Sequence, residues 1–89
     1  MVLASSCRRK IIIVLHKYGQ VNVMMLVRKV NGTYSRVNPS LLILAREGIT
    51  VEQRLGHKRI IKLNMENHKT QVLLQVLKIF ERSKLKKQS

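Results

Sequence analysis

Four side chains that carry or can take up positive charge, Arg54, His57, Lys58 and Arg59, crowd around Gly56. The runs on either side, Thr50-Val-Glu-Gln53 and Ile60-Ile-Lys-Leu63, are rich in β-formers, so the cations sit at the tip of a hairpin. Glycine as the first residue of a two-residue Gly56-His57 loop fits a type II′ turn. Guanidinium and ammonium groups gathered in this way suit phosphate oxygens, because each phosphate neutralised releases counterions. A single lysine on a surface needs no explanation beyond solvation, but four such groups at one tip exceed what solubility requires. Other chemistries fare worse. Cys7, His16, His57 and His68 match no compact ligand spacing, which argues against a metal site or cofactor. The four acids, Glu47, Glu52, Glu66 and Glu81, stand apart with no relay partner, and no nucleophile–base pair or phosphate-cradling glycine loop is present. The expectation is a binding protein rather than an enzyme.

Charge supports the same partner. The 89 residues hold 18 Lys and Arg against 4 Asp and Glu, a formal +14. A small domain so charged repels itself and is stabilised by a polyanion. Nucleic acid ranks first as partner, an anionic membrane surface or acidic protein second. The lone Cys7 allows no intrachain disulfide. Arg8-Arg9-Lys10 before Ile11-Ile-Ile-Val-Leu15 resembles the start of a secretory signal, but the apolar run stops at His16-Lys17 and no small-residue cleavage site follows. No run approaches the roughly 18 apolar residues of a membrane span. These features lead to the expectation of a cytoplasmic, nucleoid-associated protein with no membrane contact. Asn31-Gly-Thr33 matches a glycosylation pattern, but a helix exit accounts for it.

Periodicity predicts one domain, mainly α with a small β-hairpin. Ser5 or Ser6 caps a first helix over 6–18, whose stripe is Ile11, Val14, Leu15 and Tyr18, widened by Ile12 and Ile13, and Gly19 ends it. Asn22 caps a short helix over 23–30, with Met25-Leu26 and Lys29-Val30 on one face and Asn31-Gly32 at its exit. Pro39 leaves two possibilities for the third helix: Asn38 caps it with Pro39 first, or an irregular turn begins near Ser35. Either way it ends at Gly48, with Leu41, Leu42, Leu44 and Ala45 inward. In the hairpin, Ile49, Val51 and Gln53 share a face answered by Ile61 and Leu63. Asn64 then caps a long helix over 66–84, followed by a basic tail over 85–89.

This α-α-α-β-β-α order resembles the winged helix-turn-helix transcription regulators of the ArsR and MarR type, over residues 8–63. Val23-Met-Met-Leu-Val-Arg-Lys-Val-Asn31 resembles the first helix of the helix-turn-helix. Ser35-Arg-Val-Asn-Pro-Ser-Leu-Leu-Ile-Leu-Ala-Arg-Glu-Gly-Ile49 resembles the recognition helix and its exit, and Arg54-Leu-Gly-His-Lys-Arg59 the wing. Pro39 departs from the pattern, and the Cys pairs or His-Asp sets of metal-sensing members are missing. The resemblance implies that the third helix enters the major groove of double-stranded DNA by its N-terminal end. Thr33, Tyr34, Ser35, Arg36, Asn38 and Ser40 are then the candidate contacts. Arg36 can pair bidentately with guanine, and Asn38 can read adenine or serve as a helix cap. Ser35 and Tyr34 suit phosphate. Arg54, His57, Lys58 and Arg59 would lie along the backbone or in the minor groove, and Arg8, Arg9 and Lys10 would add backbone contacts.

The last helix carries more apolar surface than one stripe, in Val72, Leu73, Val76, Leu77 and Phe80, with Leu74 and Ile79 beside them. The surplus points to a homodimer through this helix, the alternative being a helix folded back over the first. The leading expectation is a homodimeric, sequence-specific transcription regulator, a repressor acting by occupancy, with no identifiable small-molecule ligand. The competing readings are an architectural, chromatin-like DNA binder, an RNA-binding protein, and a winged helix serving only protein contacts.

Overall fold

Ser5 opens the first helix, its hydroxyl accepting from the Arg8 backbone N–H at 3.4 Å. The computed structural model describes residues 5–88, with side chains as far as Ile79. Helix α1 (Ser6–Tyr18) buries Ile11, Ile12 and Leu15. Val14 and Ile13 are half-buried. Tyr18, expected on the buried stripe, is instead 46% exposed. Its ring is covered by cations, the Lys29 ammonium at 4.7 Å and that of Lys17 at 5.5 Å. Gly19, at φ 83°, stops the helix and donates to the Leu15 carbonyl.

A strand that periodicity did not reveal follows directly: β1 (Gln20–Asn22). Three residues are too few for alternation to show, and the strand exists only because a distant one pairs with it. Asn22 then caps α2 (Val23–Lys29), its Oδ1 accepting from the Met25 N–H at 2.8 Å. This helix turns Val23, Leu26 and Val27 inward, with Val30 just beyond, whereas Met25 is exposed. The inward face is thus one residue round from the expected pair. Asn31, at φ 55°, closes α2: its N–H reaches the Arg28 carbonyl, and that of Gly32 reaches Val27.

Helix α3 (Tyr34–Arg46) starts after Thr33, ahead of both expected alternatives, and is helical through Pro39 rather than capped by Asn38 or preceded by an irregular turn near Ser35. Pro39 lies inside the helix, on the exposed face. The Ser35 carbonyl loses its usual amide partner there, but Ser35 is itself exposed and water can satisfy it. Val37, Ser40, Leu41 and Leu44 are buried, whereas Leu42 and Ala45 face out, contrary to expectation. The 3.6-residue repeat running through Val37, Leu41 and Leu44 leaves no room for them on the core side. Gly48, at φ 74°, and Ile49 donate to the carbonyls of Ala45 and Leu44, closing the helix in a Schellman turn with Ile49 buried against Leu44.

Strands β2 (Thr50–Leu55) and β3 (Lys58–Leu63) form the expected hairpin, with β1 on the other edge of β3, in the order β1-β3-β2. Gly56 has φ 63°, and Asn31 is the one non-glycine residue with positive φ among the described residues, so the turn has the II′ pattern. The register corrects the expected faces. Glu52 opposes Ile61 and Thr50 opposes Leu63, while Val51 and Gln53 oppose Lys62 and Ile60. The face shared with Ile61 and Leu63 is therefore Thr50, Glu52 and Arg54. Taking Ile49 as the first inward strand residue shifted the whole assignment by one.

Asn64 does not cap the last helix. Its amide donates to the Gly48 carbonyl at 3.2 Å, and Asn67 takes the capping place, accepting from the Lys69 N–H at 2.9 Å. Helix α4 (His68–Gln88) thus begins later than expected and continues through the segment read as a tail. It lays Thr70, Leu74 and Leu77 on the core. The four helices, β1 and β3 share that core, centred on Ile11, Ile12, Leu15, Leu26, Val37, Leu44, Ile49 and Ile61, while β2 adds only the buried Thr50.

Candidate nucleic-acid interface

The first turns of α3 and the hairpin meet at one side chain. Arg59 Nε and Nη2 donate to Glu52 Oε2 and Oε1 at 2.9 and 2.8 Å, a bidentate pair across the two strands. Arg59 Nη1 donates to the Tyr34 hydroxyl at 2.8 Å and to Asn38 Oδ1 at 3.0 Å. Four of the five N–H groups of a guanidinium are thereby engaged. Each partner follows from local structure. A two-residue turn at Gly56-His57 sets Arg59 opposite Arg54 and diagonal to Glu52 on the same face. Tyr34 and Asn38 lie four residues apart, on one face of α3.

The electrostatics follow from these contacts. The hydrogen bonds from Arg59 hold the Glu52 carboxyl below the ordinary carboxylate value, Coulombic attraction to Arg59 and Arg54 adding to them against a smaller opposing effect of burial. The Arg59 guanidinium is correspondingly pushed up, first by its hydrogen bond to Glu52. A second ion pair, Lys69 Nζ to Glu47 Oε2 at 2.9 Å, joins α4 to the far end of α3. The acids at 47 and 52 are thus each paired with a basic residue.

The residues expected to touch DNA divide by this geometry. Thr33, Tyr34, Ser35 and Arg36 are exposed together at the start of α3. Arg54, His57 and Lys58 are exposed on the hairpin beside them. Asn38 is half-buried and engaged by Arg59, so it is not the helix cap considered for it; Thr33 occupies that position. Ser40 belongs to neither group. It is buried, and its hydroxyl donates back to the Arg36 carbonyl at 3.3 Å. Arg59 is tied to Glu52 rather than standing free at the tip. Arg8 lines a groove with Ile43, Glu47 and the start of α4, so it stands at the opposite end of α3 from Arg36. Lys10 is exposed and Arg9 half-buried. Of the residues expected at a dimer contact, Val72 and Val76 face outward at 42% and 40% exposure, and Leu73 is half-buried. Leu77 belongs to the chain's own core, and Phe80 lies outside the described side chains. Ile79, not counted among those contacts, extends the outward stripe.

The cross-strand pair of Arg59 with Glu52 is implied by the turn register, but nothing in residue spacing connects either to Tyr34 or Asn38. Among the described residues no group of three or more His, Cys, Asp or Glu could hold a metal ion. None of their helices is long and apolar enough to cross a membrane.

No family model matches the sequence, and no curated protein matches it significantly. Solved structures do match. NadR in complex with 4-hydroxyphenylacetate superposes on 99% of the chain with a TM-score of 0.77 at 14% identity. The AntR antimony-specific transcriptional repressor superposes on 94% with a TM-score of 0.78 at 22% identity. The homodimeric winged helix-turn-helix DNA-binding domain of Mb0332 from Mycobacterium bovis superposes on 94% with a TM-score of 0.75 at 17% identity. The chain spans 65% of the length of NadR and 75% of each of the other two. The fold is the winged helix-turn-helix: α2 and α3 form the helix-turn-helix, and the β2–β3 hairpin is the wing.

Proposed function

We propose that the chain is a homodimeric, sequence-specific transcription regulator that binds double-stranded DNA and represses by occupancy, without enzymatic activity. The observation that carries this reading is the single surface on which the exposed start of α3 and the cationic wing lie side by side. In this reading α3 enters the major groove by its N-terminal end. Arg36 is the principal base reader, Thr33 and Ser35 hold phosphate, and Arg54, His57 and Lys58 follow the backbone or minor groove. Lys10 and Arg9 add weaker backbone contacts. The formal +14 supplies the long-range attraction to the duplex.

The dimer rests on α4. Val72, Val76 and Ile79, spaced i, i+4, i+7, leave an apolar stripe outward after Leu74 and Leu77 have been buried. A two-fold axis through that stripe would set two α3 helices about 34 Å apart on one face of the duplex. The similar Mb0332 domain is homodimeric and AntR is a repressor, which supports both parts of the reading. The high charge favours a second reading, an architectural binder of the nucleoid with little base preference.

Titration of fluorescent duplexes separates the two. A site-specific regulator binds its own site ~10³-fold or more tighter than random duplex at physiological salt. Arg36→Ala is expected to weaken binding to that site by about 1–3 kcal/mol and to leave random duplex unchanged. Equal weakening on both would make Arg36 a phosphate contact, and a ratio near unity in the wild type would select the architectural reading.

A further inference from the structure

Arg59 has only donors, so the acceptors facing it are assigned by chemistry: the Asn38 atom at 3.0 Å must be Oδ1, and the Tyr34 hydroxyl must accept through its oxygen at 2.8 Å. Those assignments leave the Asn38 NH2 group and the Tyr34 hydroxyl proton as the free ends of two residues on the outward start of α3. An asparagine that reads adenine needs its oxygen to accept from the N6 amino group while its NH2 donates to N7. Here the oxygen is held by a cation. The guanine edge, by contrast, presents two acceptors, N7 and O6.

We infer that Arg59 is a positioning residue that sets base preference: by holding Asn38 Oδ1 and the Tyr34 oxygen it turns the Asn38 NH2 group and the Tyr34 hydroxyl proton outward as donors, matched to the acceptor edge of guanine and to phosphate rather than to adenine. The inference rests on the reading of this surface as a major-groove interface. Two observations oppose a direct DNA contact by Arg59 itself. Four of its N–H groups are already engaged, and its side chain is only 18% exposed. Glu52 neutralises it in place, so the guanidinium adds little charge toward a phosphate. Glu52 is the second part of the device, since the bidentate pair fixes the plane in which Nη1 points at α3.

The test uses the full chain, the duplex it selects from random DNA, and variants of that duplex with each guanine of one half-site replaced in turn by adenine. For the wild type, at least one replacement opposite the start of α3 is expected to weaken binding about fivefold or more, the low end of a single mismatched pair. For Arg59→Met the preference at that one position should fall below about twofold while the salt slope stays unchanged, because no phosphate contact is lost. Glu52→Gln is expected to reduce the same preference without tightening binding. If Arg59 instead touched DNA, Arg59→Met would flatten the slope by about one contact and keep the preference, and Glu52→Gln would bind more tightly; either result overturns the inference alone. Should Arg59→Met fail to fold by circular dichroism, Glu52→Gln and Tyr34→Phe carry the comparison. A wild type that binds all duplexes equally overturns the functional reading, and this inference with it.

Discussion

The Asn67 side chain caps two elements at once: its Oδ1 accepts from the Lys69 N–H at the start of α4, while its Nδ2 donates to the Gly48 carbonyl at 2.8 Å, past the end of α3. A second bond from Nδ2 reaches the Glu47 carbonyl at 3.2 Å, and the Lys69–Glu47 ion pair lies alongside. Helix α4 is therefore fastened to α3 at the end opposite Arg36. A Cβ on Gly48 would lie 2.8 Å from Asn67 Nδ2, and the residue has a positive φ of 74°. Gly48→Ala is expected to destabilise the fold by about 1–3 kcal/mol, from backbone strain and displacement of that amide. Thermal melting reads the loss, and an unchanged midpoint would contradict it. Binding to DNA per folded molecule should stay the same, because Gly48 is remote from the start of α3.

The wing makes a separate prediction. Arg54 and Lys58 are exposed, Arg54 opposite Arg59 in the hairpin and attracting Glu52 only through its charge. Replacing both with Ala should weaken binding to every duplex alike and reduce the slope of log affinity against log salt by about two contacts. Stability should hardly change. An unaltered slope would remove the wing from the interface.

The α4 stripe is tested by charge. Val72→Lys with Val76→Lys places two cations on an outward apolar surface of the single chain, so folding should be retained. Sedimentation is expected to report a dimer for the wild type and a monomer for this variant. Persistence of the dimer would place the two-fold contact elsewhere.

Acid sensitivity follows from Glu52. Its carboxyl lies below the ordinary value of 4.5 in the folded chain because Arg59 holds it ionised. The unfolded chain has no such partner, so the ion pair stabilises the fold above that ordinary value. The contribution fades as pH falls through the lowered folded value. Glu47 acts in the same direction through Lys69. The difference in melting temperature between wild type and Glu52→Gln should therefore shrink as pH falls below the ordinary value of 4.5. A constant difference would mean that the bidentate pair contributes nothing to stability.

Much of this architecture could be read before any coordinates, and the omissions have physical causes. Ser5, Asn22, Asn31 and Gly48 mark helix ends through local chemistry, and Gly56-His57 marks the turn. Strand β1 left no trace, because three residues flanked by helices acquire their conformation from β3. The hairpin faces were inverted because Ile49, a buried helix-exit residue, was counted as part of the strand. Asn64 gave way to Asn67 as cap of α4 because residues 64–67 form a turn, the Asn67 N–H donating to the Asn64 carbonyl at 3.2 Å, and the helix begins only at His68. At the candidate site, the exposed cations of the wing and Arg36 were recognisable from composition and order. Polarity alone suggests exposure for Ser40, yet it falls on the buried side of α3 with Val37, Leu41 and Leu44. The Arg59 network depends on the docking of the hairpin against α3, and only the fold supplies that.

The most direct test of the central claim is to incubate the full chain with random genomic fragments at physiological salt, then recover and sequence the bound DNA. The account predicts enrichment of one short palindrome whose half-sites are about one helical turn apart and contain guanine. Uniform recovery of all fragments, or recovery of none, would contradict it.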